Sequence, residues 1–252
     1  MPTEHRLKIM LAIIVIAIIT LISINPIAQD PAYHHFADQR RILDIDNFVN
    51  VISNTPFVII GIIGMRLVLL RQAVGGLAKL QVIYLTFFVG VFLTGFGSAY
   101  YHLQPGNQTL VWDRLPMTIA FMALFSSLIG EYISLEWARR LFIPLLILGV
   151  ASVGYWYATE LNGHGDLRAY LLVQFLPILL IPFILCLFDS TLNGDKYIWG
   201  IIGVYALAKL MELADVQLYE FFGLLSGHSL KHLLAAFGAV IFYQALQKRS
   251  QH

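Results

Sequence analysis

The sequence predicts an all-α membrane protein, with a seven-helix core bundle and one extra N-terminal transmembrane helix. Three observations support this fold class. Of the 252 residues, 58% are hydrophobic and only 12% are charged. The mean hydropathy of +0.74 is far above the values of ordinary soluble domains. Eight mostly apolar stretches are each about 20 residues long, which is the length needed to cross a bilayer.

Each apolar stretch is predicted to be a helix, because a helix satisfies its own backbone hydrogen bonds in lipid and an open sheet does not. Short segments rich in Gly, Asn, Asp and Pro separate the stretches, as is typical of turns. Residues 1–30 form the N-terminal helix and residues 31–252 the core domain. The predicted helices cover roughly residues 8–27, 48–70, 80–102, 112–132, 140–158, 169–188, 197–216 and 226–246.

The first stretch has an alternative interpretation as a cleaved signal peptide. It follows the charged sequence EHRLK and precedes PIAQ, which is a poor cleavage site. We therefore favour a retained helix. Either alternative leaves Gln29 on the same side of the membrane.

The distribution of Lys and Arg predicts the orientation, since cytoplasmic loops carry the excess of these residues. With the N-terminus inside, the outer segments contain only Arg40, Arg41, Arg114 and Arg168. The inner segments contain Arg6, Lys8, Arg66, Arg71, Lys79, Arg139, Arg140, Lys196, Lys248 and Arg249. Both termini are therefore predicted to be cytoplasmic. The short loops and the lack of retention or lipidation signals favour a bacterial inner membrane.

Five polar residues are predicted to lie at one membrane depth, near the outer surface. Ser98 and His102 are four residues apart at the outer end of the third helix, hence on one face. Asp113 falls in the first turn of the fourth helix, and His228 and His232 fall in the first two turns of the last helix. Ionisable residues at such depth usually face the bundle interior, where they find partners or have a function.

This combination is typical of a catalytic metal site. Three neutral imidazoles, from His102, His228 and His232, match the ligands of a catalytic zinc ion that keeps one position for water. The metal would lower the pKa of that water towards about 7. Asp113 is the candidate proton acceptor, and Ser98 is a candidate hydrogen-bond donor to the water or to an oxyanion.

A purely structural interpretation remains open for each residue taken alone. A histidine near a helix end often makes only interhelical hydrogen bonds, and an aspartate in a first turn often caps the helix. The convergence of all five residues favours a functional site.

The same residues resemble a known family, the alkaline ceramidases, within the wider CREST group of membrane hydrolases. The matching segments are GSAYYH, DRLPM, GHSLKH and NFVNVISNTPF, and the resemblance covers about residues 33–246. It implies zinc ligands at His102, His228 and His232, with Ser98 and Asp113 as partners of the zinc-bound water. It also implies that the protein is a metal-dependent amidohydrolase. The reaction would cleave a ceramide-like membrane lipid to a sphingoid base and a fatty acid, with Asp113 as general base and then general acid.

The segment before the core helices departs from the family pattern. Animal alkaline ceramidases carry a calcium site there, with a D-W-x-E-x-N sequence and a following Glu. This chain has Tyr33, Phe36 and Asp38 at the aligned positions and Asn47 in place of the Glu, which argues against Ca²⁺. Three interpretations of YHHFADQRR stay open: a lid, a metal site formed by His34, His35 and Asp38, or a solvated polar loop, which we favour.

Further charged residues occur within the predicted helices. Glu212 and Asp215 lie near the outer end of the seventh helix, where Lys209 or Lys231 is expected to neutralise them. A role in binding substrate hydroxyls or an amine is the alternative. Glu131, at the inner end of the fourth helix, is predicted to be an interface anchor.

Other classes of function are alternatives to a hydrolase. The receptor branch of the CREST group raises the alternative of a receptor or sensor with a structural or weakly hydrolytic zinc site. A proton-relaying transporter is disfavoured, because no inverted repeat or matching pair of broken helices is visible. Nucleic acid is excluded as a partner, since the net charge is +1 and no basic stripe occurs. The sequence does not determine the oligomeric state.

Overall fold

The computed structural model describes residues 2–251, and these form helices joined by short connections, without a β-strand. The all-α prediction is therefore confirmed. The α-helices are α1 Thr3–Ser23, α2 Phe48–Ile52, α3 Thr55–Leu69, α4 Gln81–Leu103, α5 Asn107–Leu128, α6 Leu135–Leu161, α7 Arg168–Leu187, α8 Lys196–Leu213, α9 Asp215–Phe222 and α10 Gly227–Lys248.

Seven of the described helical stretches are long and apolar enough to cross a membrane, and α2 with α3 counts as one of them. The bent pair of α8 and α9 is an eighth candidate if it forms one span. Many large apolar side chains point away from the bundle; Ile22 in α1, for example, is 71% exposed. Such a surface suits hydrocarbon better than water. The chain is thus a multi-pass membrane protein.

The predicted helix over 197–216 is confirmed as α8, but its predicted C-terminal end is wrong. The helix ends at Leu213, and α9 turns away from α8 by 78°. The carboxylate of Asp215 accepts hydrogen bonds from the backbone N–H groups of Ala37 and His228, at 3.0 and 2.7 Å. These bonds hold Asp215 at a junction of three chain segments. Sequence periodicity does not detect this junction, because both partners come from other parts of the chain.

The fourth predicted helix begins earlier than predicted. Helix α5 starts at Asn107, so Asp113 lies in its second turn and is not a helix cap. At the other end, α5 continues into a π-helical turn, Ile129–Ile133. Two further predicted boundaries hold: α4 ends just after His102, and α10 begins just before His228.

The bundle is held together by antiparallel neighbours around one apolar centre. Helix α4 packs between α3 and α5, α10 lies along α8, and α1 packs mainly on α7. The rings of Tyr84, Phe87, Phe88 and Phe242 form the middle of the core. We call the end of the bundle at which α4 ends and α5 and α10 begin the site end.

At the end opposite the site end, Glu131 is not an interface anchor. Its carboxylate is fully buried and forms a two-bond ion pair with Arg249, with N–O distances of 2.8 Å. The Tyr84 hydroxyl donates a third hydrogen bond to Glu131, at 2.7 Å. This buried network ties the C-terminal residues to α5 and α4.

Candidate metal and active site

Three histidines meet at the site end. His102 lies in the last turn of α4, while His228 and His232 lie in the first two turns of α10. All three are buried, with 1, 6 and 5% exposure. The i, i+4 spacing places the α10 pair on one face, and that face points at α4.

The ring nitrogens are arranged as metal ligands. His102 Nε2 lies 3.3 Å from Nε2 of His228 and 3.3 Å from Nε2 of His232. Ligands of a tetrahedral zinc ion at about 2.05 Å are separated by about 3.3 Å. Within the described residues, this is the one group of three or more His, Cys, Asp or Glu side chains close enough to hold a metal ion. The donor set and spacing fit the metal that the sequence predicts.

Ser53 fixes the orientation of His232. Its Oγ lies 2.8 Å from Nδ1 of His232 and donates to the carbonyl oxygen of Asn50 at 2.9 Å. The hydroxyl has one proton, so it accepts the Nδ1–H of His232. Nε2 is then unprotonated and available to a metal. No sequence feature predicted a role for Ser53. This residue lies in the NFVNVISNTPF segment that carries part of the resemblance.

Contacts from three other residues hold the remaining histidines. The Asn47 amide donates to the carbonyl oxygen of His102 at 2.9 Å. The Phe36 ring packs against the rings of His102 and His228, with centroid distances of 4.6 and 4.7 Å. Asp215 accepts the backbone N–H of His228. The three imidazoles are thus positioned from several segments and shielded on one side by an aromatic ring.

The structure places Ser98 and Asp113 next to each other beside this group. Both are buried, and the Ser98 hydroxyl lies close enough to the Asp113 carboxylate to interact with it. Gly97 allows this approach, because a Cβ at that position would collide with the carbonyl of Trp112. Asp113 and His232 line the same cavity. All five predicted site residues therefore lie at the site end, on α4, α5 and α10.

The YHHFADQRR segment is not a solvated loop. Phe36 and Asp38 are buried, and both ring nitrogens of His34 are engaged, by the hydroxyl of Tyr101 and the amide oxygen of Asn107. His35 is exposed. The predicted alternative of a metal site formed by His34, His35 and Asp38 is wrong, since the three side chains do not converge. Through Phe36, the segment covers one side of the histidine group, and the lid alternative stays a prediction.

The positions aligned with the family's calcium site carry the wrong chemistry for calcium. Both carboxylate oxygens of Asp38 accept hydrogen bonds from Arg40, at 2.8 and 2.6 Å. Burial raises the pKa of Asp38, but the Arg40 hydrogen bonds and charge lower it by more, so its pKa lies below the usual value. Phe36 is apolar and offers no oxygen ligand, and Asn47 replaces the carboxylate of the family pattern with a neutral amide. Calcium needs six to eight oxygen ligands.

A cavity of about 350 Å³ extends from the histidine group into the bundle. Its walls come from α4, α5, α7, α8 and α10, and most of its lining is apolar, including Phe87, Val91 and Phe121. Helices α7 and α8 both line the cavity but barely touch each other. Polar groups concentrate at the site end of the cavity. An apolar space with a polar end fits a lipid.

The charged residues of α8 and α10 form one cluster in the cavity wall. Glu212 accepts hydrogen bonds from Lys209 and Lys231, each at 2.6 Å. The prediction that lysines neutralise Glu212 is confirmed. Asp215 binds backbone N–H groups and not a lysine.

The fold and the site together define a multi-pass, all-α membrane protein with a buried histidine group that could hold a metal. The chain belongs to the Ceramidase family, whose model matches residues 44–188. The match includes Ser98, His102 and Asp113 and ends before α10. Neither the curated proteins nor the solved structures gave a match. The family indicates a hydrolase that acts on a lipid of the ceramide type.

Proposed function

We propose that the protein is a zinc-dependent membrane hydrolase that cleaves the amide bond of ceramide-like lipids to a sphingoid base and a fatty acid. The observation that carries this proposal is the group of three imidazoles with Nε2 separations of 3.3 Å, at the polar end of a lipid-sized cavity. Family membership supports the substrate class.

The ligands in this proposal are His102, His228 and His232. A zinc ion held there supplies Lewis-acid activation of water and of the scissile carbonyl. Neutral imidazole is a preferred zinc ligand. The hydrogen bond from His232 to Ser53 supports the required tautomer.

The proton transfers are assigned to Asp113. Its carboxylate accepts a proton from the attacking water and then donates it to the leaving nitrogen as the amide C–N bond breaks. The water oxygen remains on the acyl carbon, so the products are a carboxylic acid and an amine. Ser98 positions the Asp113 carboxylate and is assigned as the hydroxyl donor to a developing oxyanion.

The cavity accounts for the binding of the acyl or sphingoid chain. Its apolar wall removes hydrocarbon from water, which stabilises the complex by about 25 cal/mol per Å² of buried apolar surface. The loose contact between α7 and α8 is the natural lateral entrance from the bilayer. Asp113 lines this same cavity, which favours a hydrolase over a receptor with a structural metal.

The proposal includes a location and a domain division. Both termini would be cytoplasmic and the site end would face the periplasm of a bacterial inner membrane. Residues 1–30 would be a retained N-terminal transmembrane helix, with the hydrolase domain in residues 31–252.

The test is to measure zinc content and ceramide hydrolysis in the purified protein and in two His→Ala variants. We expect His228→Ala to lose both the metal and the activity. His164→Ala is the matched control, because His164 is exposed in the connection between α6 and α7. Full activity of metal-free wild-type protein would contradict the mechanism. Bound zinc without hydrolysis of any lipid amide or ester would favour the receptor alternative.

A further inference from the structure

The charged residues that line the cavity carry an excess of positive charge. They comprise three cations and two carboxylates, which gives a net charge of +1 before any metal is counted. These residues are Asp113, Arg114, Lys209, Glu212 and Lys231. In a buried, largely apolar space, an uncompensated cation is costly. The excess therefore requires an explanation that ceramide, a neutral lipid, does not provide.

The carboxylate of Glu212 is not free to bind a ligand cation. Lys209 and Lys231 both donate to it at 2.6 Å, one to each oxygen. The two lysines already neutralise the Glu212 carboxylate, which leaves no net negative charge there for an ammonium group on a ligand. The sequence-based alternative in which Glu212 binds a substrate amine is therefore disfavoured.

Arg114 is the cation of the cavity that forms neither an ion pair nor a full set of hydrogen bonds. It is only 5% exposed and lines the cavity from α5. Its Nη2 donates to the amide oxygen of Gln29 at 2.6 Å. Its Nη1 is buried and has no hydrogen-bond partner, and no ion pair joins Arg114 to a carboxylate, among residues 2–251.

Aromatic rings hold the Arg114 guanidinium in place. Its central carbon lies 4.1 Å from the ring centroid of Trp156 and 4.6 Å from that of Tyr170. Such contacts fix the plane of the group without satisfying its N–H donors. The result is a rigid, desolvated guanidinium with a donor to spare, at the polar end of a lipid-sized cavity.

We propose that Arg114, assisted by Lys231, is the recognition site for an oxyanion on the headgroup of the lipid substrate, such as a phosphate. A guanidinium is well suited to a phosphate, because its fixed N–H donors match the oxygen geometry. The ligand would supply both the missing acceptor for Nη1 and the missing negative charge. As a statement about the substrate, this inference rests on the proposed hydrolase function, but the binding site itself does not.

The test compares three lipids with matched chains: ceramide, the same ceramide phosphorylated on its primary hydroxyl, and the free fatty acid. The readout is the shift in melting temperature of the purified, detergent-solubilised protein, titrated to an apparent Kd. We expect the phosphorylated lipid to bind more tightly than ceramide. Arg114→Gln should weaken its binding by about 10- to 100-fold, as expected from losing a charge-assisted hydrogen bond, and should leave ceramide binding almost unchanged.

Two further variants make the result specific. Arg114→Lys keeps the charge and should retain part of the preference. Arg41→Gln is the matched control, since Arg41 is exposed and pairs with Asp44 and Asp46 outside the cavity. If Arg114→Gln does not fold, Lys231→Gln removes a different cation from the same cavity and should also reduce the preference.

Each possible outcome either supports or overturns the proposed oxyanion site. Equal binding of the neutral and phosphorylated lipids by wild-type protein, or a preference that survives in Arg114→Gln, would overturn the proposal. An equal, Arg114-dependent effect of the free fatty acid would overturn the headgroup assignment in favour of a product carboxylate. Arg114-dependent binding of the phosphorylated lipid without hydrolysis of any lipid would support the oxyanion site and reject the hydrolase function.

Discussion

At the scale of single residues, the proposed chemistry depends on Asp113 more than on any other carboxylate. It is buried beside Ser98 and lines the cavity with His232. Asp113 is not one of the three residues that could hold the metal. Removal of its carboxylate should therefore separate proton transfer from metal binding.

We expect Asp113→Asn to keep its zinc and to lose about 10²- to 10⁴-fold in kcat, the usual contribution of a general acid–base group. Metal analysis and turnover measurements on the same sample check this. Asp44→Asn is the control, because Asp44 is exposed at the same end. Loss of zinc together with activity would show that Asp113 acts on the metal and not on the proton.

Ser53 acts through His232 and has no other functional contact. Ser53→Ala removes the acceptor of the Nδ1–H and frees the imidazole to rotate or change tautomer. Zinc affinity should fall by about 10- to 100-fold, as for other partners of metal-binding histidines. Competition with a chelator of known affinity measures this. Ser23→Ala, at an exposed position in α1, should have no effect; an equal loss in both variants would contradict the positioning role.

At the scale of helices, the approach of α4 to α5 determines whether Ser98 and Asp113 meet. These two helices share the most extensive contact in the bundle. Gly97 lies directly against the Trp112 backbone, where even a methyl group would collide. The site therefore depends on one position without a side chain.

We expect Gly97→Ala to destabilise the protein by about 1–3 kcal/mol through overpacking and to reduce activity by moving Asp113 relative to the histidines. Thermal unfolding and turnover check the two effects. Gly154→Ala in α6 is the matched control, since no atom lies within 4 Å of the Cβ it would add. Equal stability and activity of the two variants would show that α4 and α5 have room for a methyl group at position 97.

At the scale of the whole molecule, the distribution of Lys and Arg predicts one orientation, with the site end outside. The described chain begins and ends at the end opposite the site end, where Arg6 contacts Asp189 and Arg249 pairs with Glu131. Arg114, counted among the outer positive residues in the sequence, is buried in α5 and is no longer a loop residue. Without Arg114, fewer positive residues remain in the predicted outer segments. The excess of Lys and Arg that predicts a cytoplasmic N-terminus is therefore larger.

Thiol labelling in intact cells tests this orientation. In a Cys186→Ser background, which removes the single cysteine, Asn162→Cys places a thiol at the site end and Lys196→Cys places one at the opposite end. A membrane-impermeant maleimide should label position 162 in intact spheroplasts and position 196 only after lysis. The reverse pattern would place the site in the cytoplasm.

The sequence by itself determined the all-α membrane fold, most helix positions and the depth of the five site residues. Apolar length and i, i+4 spacing are local properties, and they fix which residues enter the bilayer and which face they share. Only the tertiary structure decided which polar groups are partners. The 3.3 Å contact between His102 and His228 joins residues 126 positions apart, and the Ser53–His232 bond joins residues 179 apart.

The same limit explains the wrong predictions. The break after Leu213 and the burial of Glu131 with Arg249 each depend on a partner from a distant segment. A buried polar group must find a partner because water is excluded, but local sequence does not say which segment provides it. Helix packing determines which segments provide these partners. It therefore determines which charged side chains neutralise one another and which charged side chain is left for a ligand.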